Sequence, residues 1–479
     1  MKFSKAMACV LPVLLGAVMG GSLMSGQATL GQIVTPPPKP FVLPAYERLV
    51  MNNGLTVLLL EKHNTPLISM NLTLRSGSVY DSVGKEGVAT LTAQLLRRGT
   101  EDRTADQVSD ELDAMGMQFS SLAGPDSTTV YADFLKKDAA AALQLVADIE
   151  LHATFPDTEV TKALARAEDE ARAVKDEPQA ALQAYFRKFL YGNSFYGRPA
   201  NGDEISIKAI TRADILAFYK ANYTPANAVL AVAGDFDSAQ MKAMLEQSFG
   251  PWSGAAPAKP ALTPMAPVKG RRLLLVDKPD ATQTYFFMGN VGIDATNPDR
   301  GSIQVVNTLY GGRFTSLFNT ELRIKSGYSY GANSRFTESR VPGPFVMATY
   351  TRNATTGQAM DKTLEVINTA HAQGFTEAQL ASAKNTIAGS LPPQMETSQA
   401  LANTMARNEL YGITRDQFNA NLLALGKTTL ADEKRVLEKY YPTADNLVIV
   451  VVGKAAEIEP LMGKYTKDIT KKKIGDPGF

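Results

Sequence analysis

Tyr223-Thr-Pro-Ala-Asn227, followed at once by Ala228-Val-Leu-Ala-Val-Ala-Gly234, decides the fold, because the chain repeats it. Tyr441-Pro-Thr-Ala-Asp-Asn446 runs into Leu447-Val-Ile-Val-Val-Val-Gly453, with the same seven-residue step from asparagine to glycine. Each copy reads as the end of a helix, a turn and a continuous apolar run of the kind that forms a buried strand. The beginnings also correspond. Leu55-Thr-Val-Leu-Leu-Leu60 and Arg272-Leu-Leu-Leu-Val276 are strands, each followed by charged residues, a turn and another strand. Matches in the same order at both ends of two segments indicate a duplication. Between these landmarks strand pairs alternate with helical patterns, among them 85–98, 105–115, 136–152 and 157–175. The expectation is an α+β fold of two homologous domains, each an antiparallel-rich sheet with helices packed on one face.

Composition sets the borders. Gly250-Pro-Trp252 and prolines 257, 260, 264 and 267 mark a linker over 251–269. It separates a first domain over 46–250 from a second over 270–468, with 469–479 as a tail. Lys2 and Lys5 precede an apolar run from Ala6 to about Met24, and Gly26 and Ala28 suit a cleavage site. Residues 1–28 therefore read as a secretory signal peptide. The glycines and Pro12 make the run weak as a spanning helix, so no stable membrane span is expected once it is removed. Prolines 36, 37, 38, 40 and 44 give a Pro-rich arm over 29–45. The expected location is exported, periplasmic or secreted. The only cysteine, Cys9, lies in the leader, so the mature chain has no disulfide and no thiolate metal site. With 49 Lys+Arg against 48 Asp+Glu in 479 residues, no broad basic surface points to nucleic acid.

Gly87-Val-Ala-Thr-Leu-Thr-Ala-Gln-Leu-Leu-Arg-Arg-Gly-Thr100 places Val88, Leu91, Thr92, Leu95 and Leu96 on one face of a helix. Thr90, Ala93, Gln94 and Arg97 fall on the other. Together with Gly77-Ser78 and Gly99-Thr100, this segment resembles the M16 (pitrilysin/insulinase-like) zinc peptidases, whose helix carries His-x-x-Glu-His. Here the corresponding residues are Thr90, Ala93 and Gln94. In that motif two imidazoles one turn apart bind zinc and the glutamate activates water. Threonine and glutamine are poor ligands, and alanine accepts no proton. The family's third ligand corresponds to Glu170, with Glu177 seven residues on. Without imidazoles, these carboxylates read as a solvated helix face. His63, His152 and His371 are the only histidines; they are far apart in sequence and read as structural or solvent-facing. No metal site is expected in this chain.

Gly311-Gly-Arg-Phe-Thr-Ser-Leu-Phe-Asn-Thr-Glu-Leu-Arg323-Ile-Lys-Ser-Gly327-Tyr-Ser-Tyr330-Gly331 spaces Phe314, Leu317, Phe318 and Leu322 for a buried helix face. Gly327 suits a left-handed cap. Tyr328 and Tyr330 would share one face of a strand. This resembles the family's arginine–tyrosine element, carried here by Arg323 and Tyr330. The resemblance implies that the pair binds the scissile carbonyl and stabilises the oxyanion. Tyr328 is a candidate for lining the substrate groove. It further implies one half of a clam-shaped chamber and a heterodimer with an M16 subunit that carries His-x-x-Glu-His and the zinc. The substrate would be a peptide or unfolded protein. The alternative is a catalytically inactive scaffold or a peptide-binding, chaperone-like protein.

Overall fold

A computed structural model describes residues 41–479. The expected leader over 1–28, and the arm as far as residue 40, lie outside the described residues. Two six-stranded mixed sheets carry the fold. The first contains β1 (Glu47–Val50), β2 (Thr56–Glu61), β3 (Leu67–Leu74), β4 (Gln118–Ala123), β5 (Thr128–Leu135) and β6 (Ala228–Gly234), in the order β1-β2-β6-β3-β5-β4. The second contains β7 (Arg272–Asp277), β8 (Gln283–Val291), β9 (Ala332–Phe336), β10 (Pro344–Arg352), β11 (Val448–Gly453) and β12 (Ile469–Lys473), in the order β12-β7-β11-β8-β10-β9. The duplication holds at the level of pairing. β6 is parallel to β2 and antiparallel to β3, and β11 repeats this against β7 and β8.

The two sheets differ at one edge. β1 joins β2 antiparallel, whereas β12 joins β7 parallel. The stretch 469–479, expected as a tail, is thus corrected over 469–473: it completes the second sheet. Ile469 packs on the second core, while Lys471, Lys472 and Lys473 line the sheet's outer strand, where charge discourages pairing with another chain.

The first half contributes helices α1 (Val88–Leu95), α2 (Ala105–Ala114), α3 (Ala139–Leu151), α4 (Asp157–Ala173) and α5 (Pro178–Tyr191). Helices of each half cover one face of its sheet, as expected. The opposite face is covered by a helix of the other half. Along β6, Ala228, Leu230 and Val232 enter the first core, while Val229, Ala231 and Ala233 meet Leu401, Ala402 and Met405 of the helix Ser398–Tyr411. Along β11, Ile449 and Val451 enter the second core, while Val448, Val450 and Val452 meet Leu182 and Phe186 of α5. Burial on both faces is why each strand reads as an unbroken apolar run. Gly289 on β8 leaves space for the crossing helix: a Cβ there would stand 3.1 Å from Phe186 Cζ and 2.0 Å from the Phe345 carbonyl oxygen.

Polar contacts fasten the same seam. Asp126, in the β4–β5 turn, accepts from Tyr196 Oη, from Tyr411 Oη at 3.1 Å and from the Arg340 N–H at 3.0 Å. Arg340 Nη2 returns 2.8 Å bonds to the carbonyls of Arg75 and Asp126. The linker 251–269 has no regular structure, and its Leu262, Met265 and Val268 pack on the cluster around α5. Among the described residues no helix is long and apolar enough to cross a membrane.

One core residue is at odds with its surroundings. Glu150, on α3, is fully buried, and neither carboxylate oxygen has a hydrogen-bond partner among the described residues. Burial pushes its pKa from 4.5 up to about 8. The folded chain therefore keeps a proton that the unfolded chain releases near 4.5. Stability from this group is complete below that value and declines as pH rises towards 8. Glu150→Gln keeps the shape and removes the proton. Chemical denaturation at pH 5 and pH 8 should show the variant gaining over wild type mainly at pH 8, by on the order of a few kcal/mol.

Candidate functional site

α1 starts at Val88 because Gly87 turns the chain at φ +105°, a conformation glycine adopts without strain. Asp81 then accepts the N–H groups of Gly87 at 2.8 Å and Ala89 at 2.9 Å, placing a carboxyl group at the positive end of the helix. Burial raises the Asp81 pKa to about 7, opposed by those two donors and by Arg198. Asp81 is a residue that helix periodicity did not reveal. Its signal is an acid placed just ahead of the glycine that opens the helix.

The motif positions on α1 have different surroundings. Thr90 is half-buried and its hydroxyl donates to the Ala200 carbonyl at 3.0 Å. Gln94 is exposed. Ala93, expected on the open face, is instead 1% exposed. α4 and the helix Arg212–Asn222 both pack on α1, so that side is covered as well. Glu170 does lie on α4, but it is exposed and accepts from Arg166 Nε at 2.7 Å. Glu177 is exposed at the start of α5. A zinc ion does not fit this set: one hydroxyl is engaged by a carbonyl, one side chain is a buried methyl, one is an exposed carboxamide, and the carboxylate has an arginine partner. Among the described residues no three of His, Cys, Asp and Glu gather around a common point. His63 Nδ1 lies 2.6 Å from Asp235 Oδ1, a hydrogen bond that raises the exposed imidazole's pKa. His152 Nδ1 lies 3.0 Å from Asp148 Oδ1, and His371 Nε2 3.2 Å from the Pro442 carbonyl.

The second half presents a different kind of site. Ser316 caps a short helical turn, Leu317–Asn319, by accepting the Asn319 N–H at 3.4 Å. The chain then widens into a π-helical turn, Thr320–Lys325, seen in the 3.1 Å bond from the Ser326 N–H to the Glu321 carbonyl five residues back. Such turns are rare and recur at functional sites. This one carries Arg323. Gly327 ends it at φ +64°, as expected. The Arg323 guanidinium lies over two rings, Phe314 at 4.9 Å and Tyr330 at 5.6 Å. No carboxylate lies within 4 Å of it among the described residues, and neighbouring Glu321 is paired with Lys325 at 2.7 Å.

Two expectations are corrected here. The spacing predicts Phe314 on a buried helix face, but it is 59% exposed. The helix begins only after the Ser316 cap, a start signal already present in the sequence. Tyr328 and Tyr330 do not share a face: Tyr328 is half-buried against the second core, while Tyr330 is 79% exposed. Strand geometry starts only at Ala332. Before it, Ser329 Oγ both accepts from the Gly331 N–H at 3.0 Å and donates to its carbonyl at 2.8 Å, a local turn that breaks the alternation. The structure thus brings Arg323 and Tyr330 together with Phe314. Neither Arg323 nor Tyr330 has a hydrogen bond or ion pair to α1 or α4. Chemically, the pair offers a permanent cation held on aromatic faces and an exposed phenol, both able to donate to an incoming carbonyl or carboxylate.

Comparisons with known proteins bear on the family and the fold. The family model described as "Insulinase (Peptidase family M16)" matches residues 56–204, and the one described as "Peptidase M16 inactive domain" matches residues 209–387. A protein of Mycobacterium leprae described as an uncharacterized zinc protease is 28% identical over 373 residues, covering 76% of this chain and 82% of its own length. One of Rickettsia felis, described in the same words, is 24% identical over 428 residues, covering 89% and 96%. The crystal structure of a peptidase M16 inactive domain from Pseudomonas fluorescens superposes with a TM-score of 0.81 at 24% identity, covering 86% of this chain and 98% of that one. A protease from Helicobacter pylori gives 0.80 at 19%, covering 86% and 100%. At these identities the structural matches establish the fold alone.

Because Ala93 is enclosed, Ala93→Glu should not recreate a catalytic carboxylate facing solvent. It should lower stability by about 2 kcal/mol or more, the order expected for burying an unpaired polar group. The denaturant midpoint, compared with that of Gln94→Glu at the exposed neighbour, measures the difference.

Proposed function

This chain belongs to the M16 insulinase-type peptidase family, and on that premise we propose that it acts as the metal-free subunit of a two-chain peptidase. A partner of the same fold that carries His-x-x-Glu-His would supply zinc and the base, and this chain would supply Arg323 and Tyr330. One observation carries the reading. Among the described residues a guanidinium with no acidic partner within 4 Å stands beside two exposed rings on a π-helical turn and its flanks, while the positions of the family's metal motif hold a threonine, a buried alanine and a glutamine. Arg323 is half-buried against the two rings and Tyr330 is exposed. The pair is suited to a ligand or a partner.

In the proposed step, Arg323 and Tyr330 donate to the scissile carbonyl oxygen of an extended peptide and hold the negative charge that develops there when a nucleophile attacks. Phe314 keeps the guanidinium from folding back onto the turn. The rings also lower the local polarity, which strengthens both donations. The substrate class is a peptide or unfolded protein segment. The leader pattern over 1–28 supports an exported complex, periplasmic or secreted. The scaffold reading is the competing outcome of the test below.

The chain should be reconstituted with its zinc-bearing partner and assayed on an unstructured peptide. Arg323→Ala and Tyr330→Phe should each lower kcat by about a hundredfold, the usual effect of deleting one oxyanion donor, with less change in KM. If turnover is unaffected by both substitutions, this chain has a scaffold role instead.

A further inference from the structure

Beyond β12 the chain crosses from the second sheet to the first half. The Ile474 N–H bonds the Asp277 carbonyl at 2.9 Å. Lys175 Nζ then donates to the Asp476 carbonyl at 2.7 Å, and the Gly478 N–H donates to Glu204 Oε2 at 3.2 Å. The Phe479 ring stands edge-on to Tyr185 at 5.3 Å, with Lys175 Nζ 5.8 Å from its centroid. The receiving walls all belong to the first half: Lys175 in the turn between α4 and α5, Tyr185 on α5, and the loop holding Asp203 and Glu204.

This is a built groove. Lys175 is 7% exposed and ion-paired with Glu204. The contacts read a backbone in register: a carbonyl at one position, an N–H two residues on, and an aromatic ring at the third. Gly478 adopts φ +68°, and a Cβ there would approach Asp203 Oδ2 at 3.2 Å, so the residue before the ring must be small. The segment in place leaves one group of the groove unmatched. Tyr185 Oη is buried and has no hydrogen-bond partner among the described residues. The loop also leads back to the candidate site, since Ala200 takes the Thr90 hydroxyl and Asn201 lies against Gly87.

We propose that the groove formed by Lys175, Tyr185 and Glu204 is a binding subsite for an extended peptide carrying a glycine followed by an aromatic residue, and that the chain's own Asp476–Phe479 is its resident competitor. A peptide with a carbonyl in reach of Tyr185 Oη displaces it. The ligand class rests on the peptide-handling reading above. Binding is measured on this chain alone, without a partner or zinc, so failure here leaves the role of Arg323 standing and the converse also holds.

The test titrates the full chain with a fluorescein-labelled peptide, Ile-Gly-Asp-Pro-Gly-Phe amide, and follows anisotropy. A tethered competitor acts at an effective concentration on the order of millimolar, so wild type should bind at least about tenfold more weakly than Phe479→Ala. Adding Lys175→Met to the Phe479→Ala chain should abolish binding. Equal affinities for wild type and Phe479→Ala, or no binding by a Phe479→Ala chain with an unchanged thermal melt, would overturn the proposal. Hydrogen exchange on wild type needs no substitution. Excess peptide should speed exchange of the Gly478 amide as the segment leaves, and an unchanged rate counts equally against the groove.

Discussion

β6 and β11 are apolar on both faces, and the second face of each is covered by a helix of the other half. That constraint organises the molecule. A central strand left open on one side would expose a row of valines and alanines to water, at a cost of roughly 25 cal/mol per Å². The structure meets it by exchange. α5 leaves the first half to cover Val448, Val450 and Val452, and the helix Ser398–Tyr411 returns the cover to Val229, Ala231 and Ala233. Each half is finished only by the other. The Asp126–Tyr196–Tyr411–Arg340 contacts then fix the angle at which they meet.

The exchange has a consequence for chemistry. α4, which carries Glu170, runs into α5, and α5 is anchored on the second sheet. α1 is enclosed by α4 and the helix Arg212–Asn222 and held at its start by Asp81. The Thr90 hydroxyl is tied to the Ala200 carbonyl and Glu170 to Arg166, so neither is free to act as a ligand. In contrast, the π-helical turn with Arg323 lies outside the exchanged core, with two exposed rings and, among the described residues, no acid within ion-pair distance. The interior is committed to joining the halves, and the donors are turned outward.

Much of this was legible in the sequence because it is local. The runs 228–234 and 448–453 announce strands, Gly87 and Gly99 bracket α1, and Gly327 marks the left-handed stop after Arg323. Residues whose environment is set by distant segments were not legible. Ala93 lies on the polar side of a helical wheel, yet it is buried on a helix that packs against α4 and the helix Arg212–Asn222. Ile469–Lys473 reads as a basic tail, since nothing nearby in sequence shows that β7 has an open edge. Phe314 fits a helical period whose helix begins two residues later, at a serine cap that outranks the period. The rings that carry Arg323 were half legible: Tyr330 through the resemblance to M16 peptidases, Phe314 only as a buried helix residue, which it is not.

The central claim is that this chain holds no catalytic zinc of its own. The direct measurement is metal content and peptide hydrolysis of the purified single chain, equilibrated with zinc and then freed of loosely bound ion. The account predicts far less than one zinc per chain and no hydrolysis until a zinc-bearing partner is added. One tightly held zinc per chain, together with unaided cleavage, would contradict it.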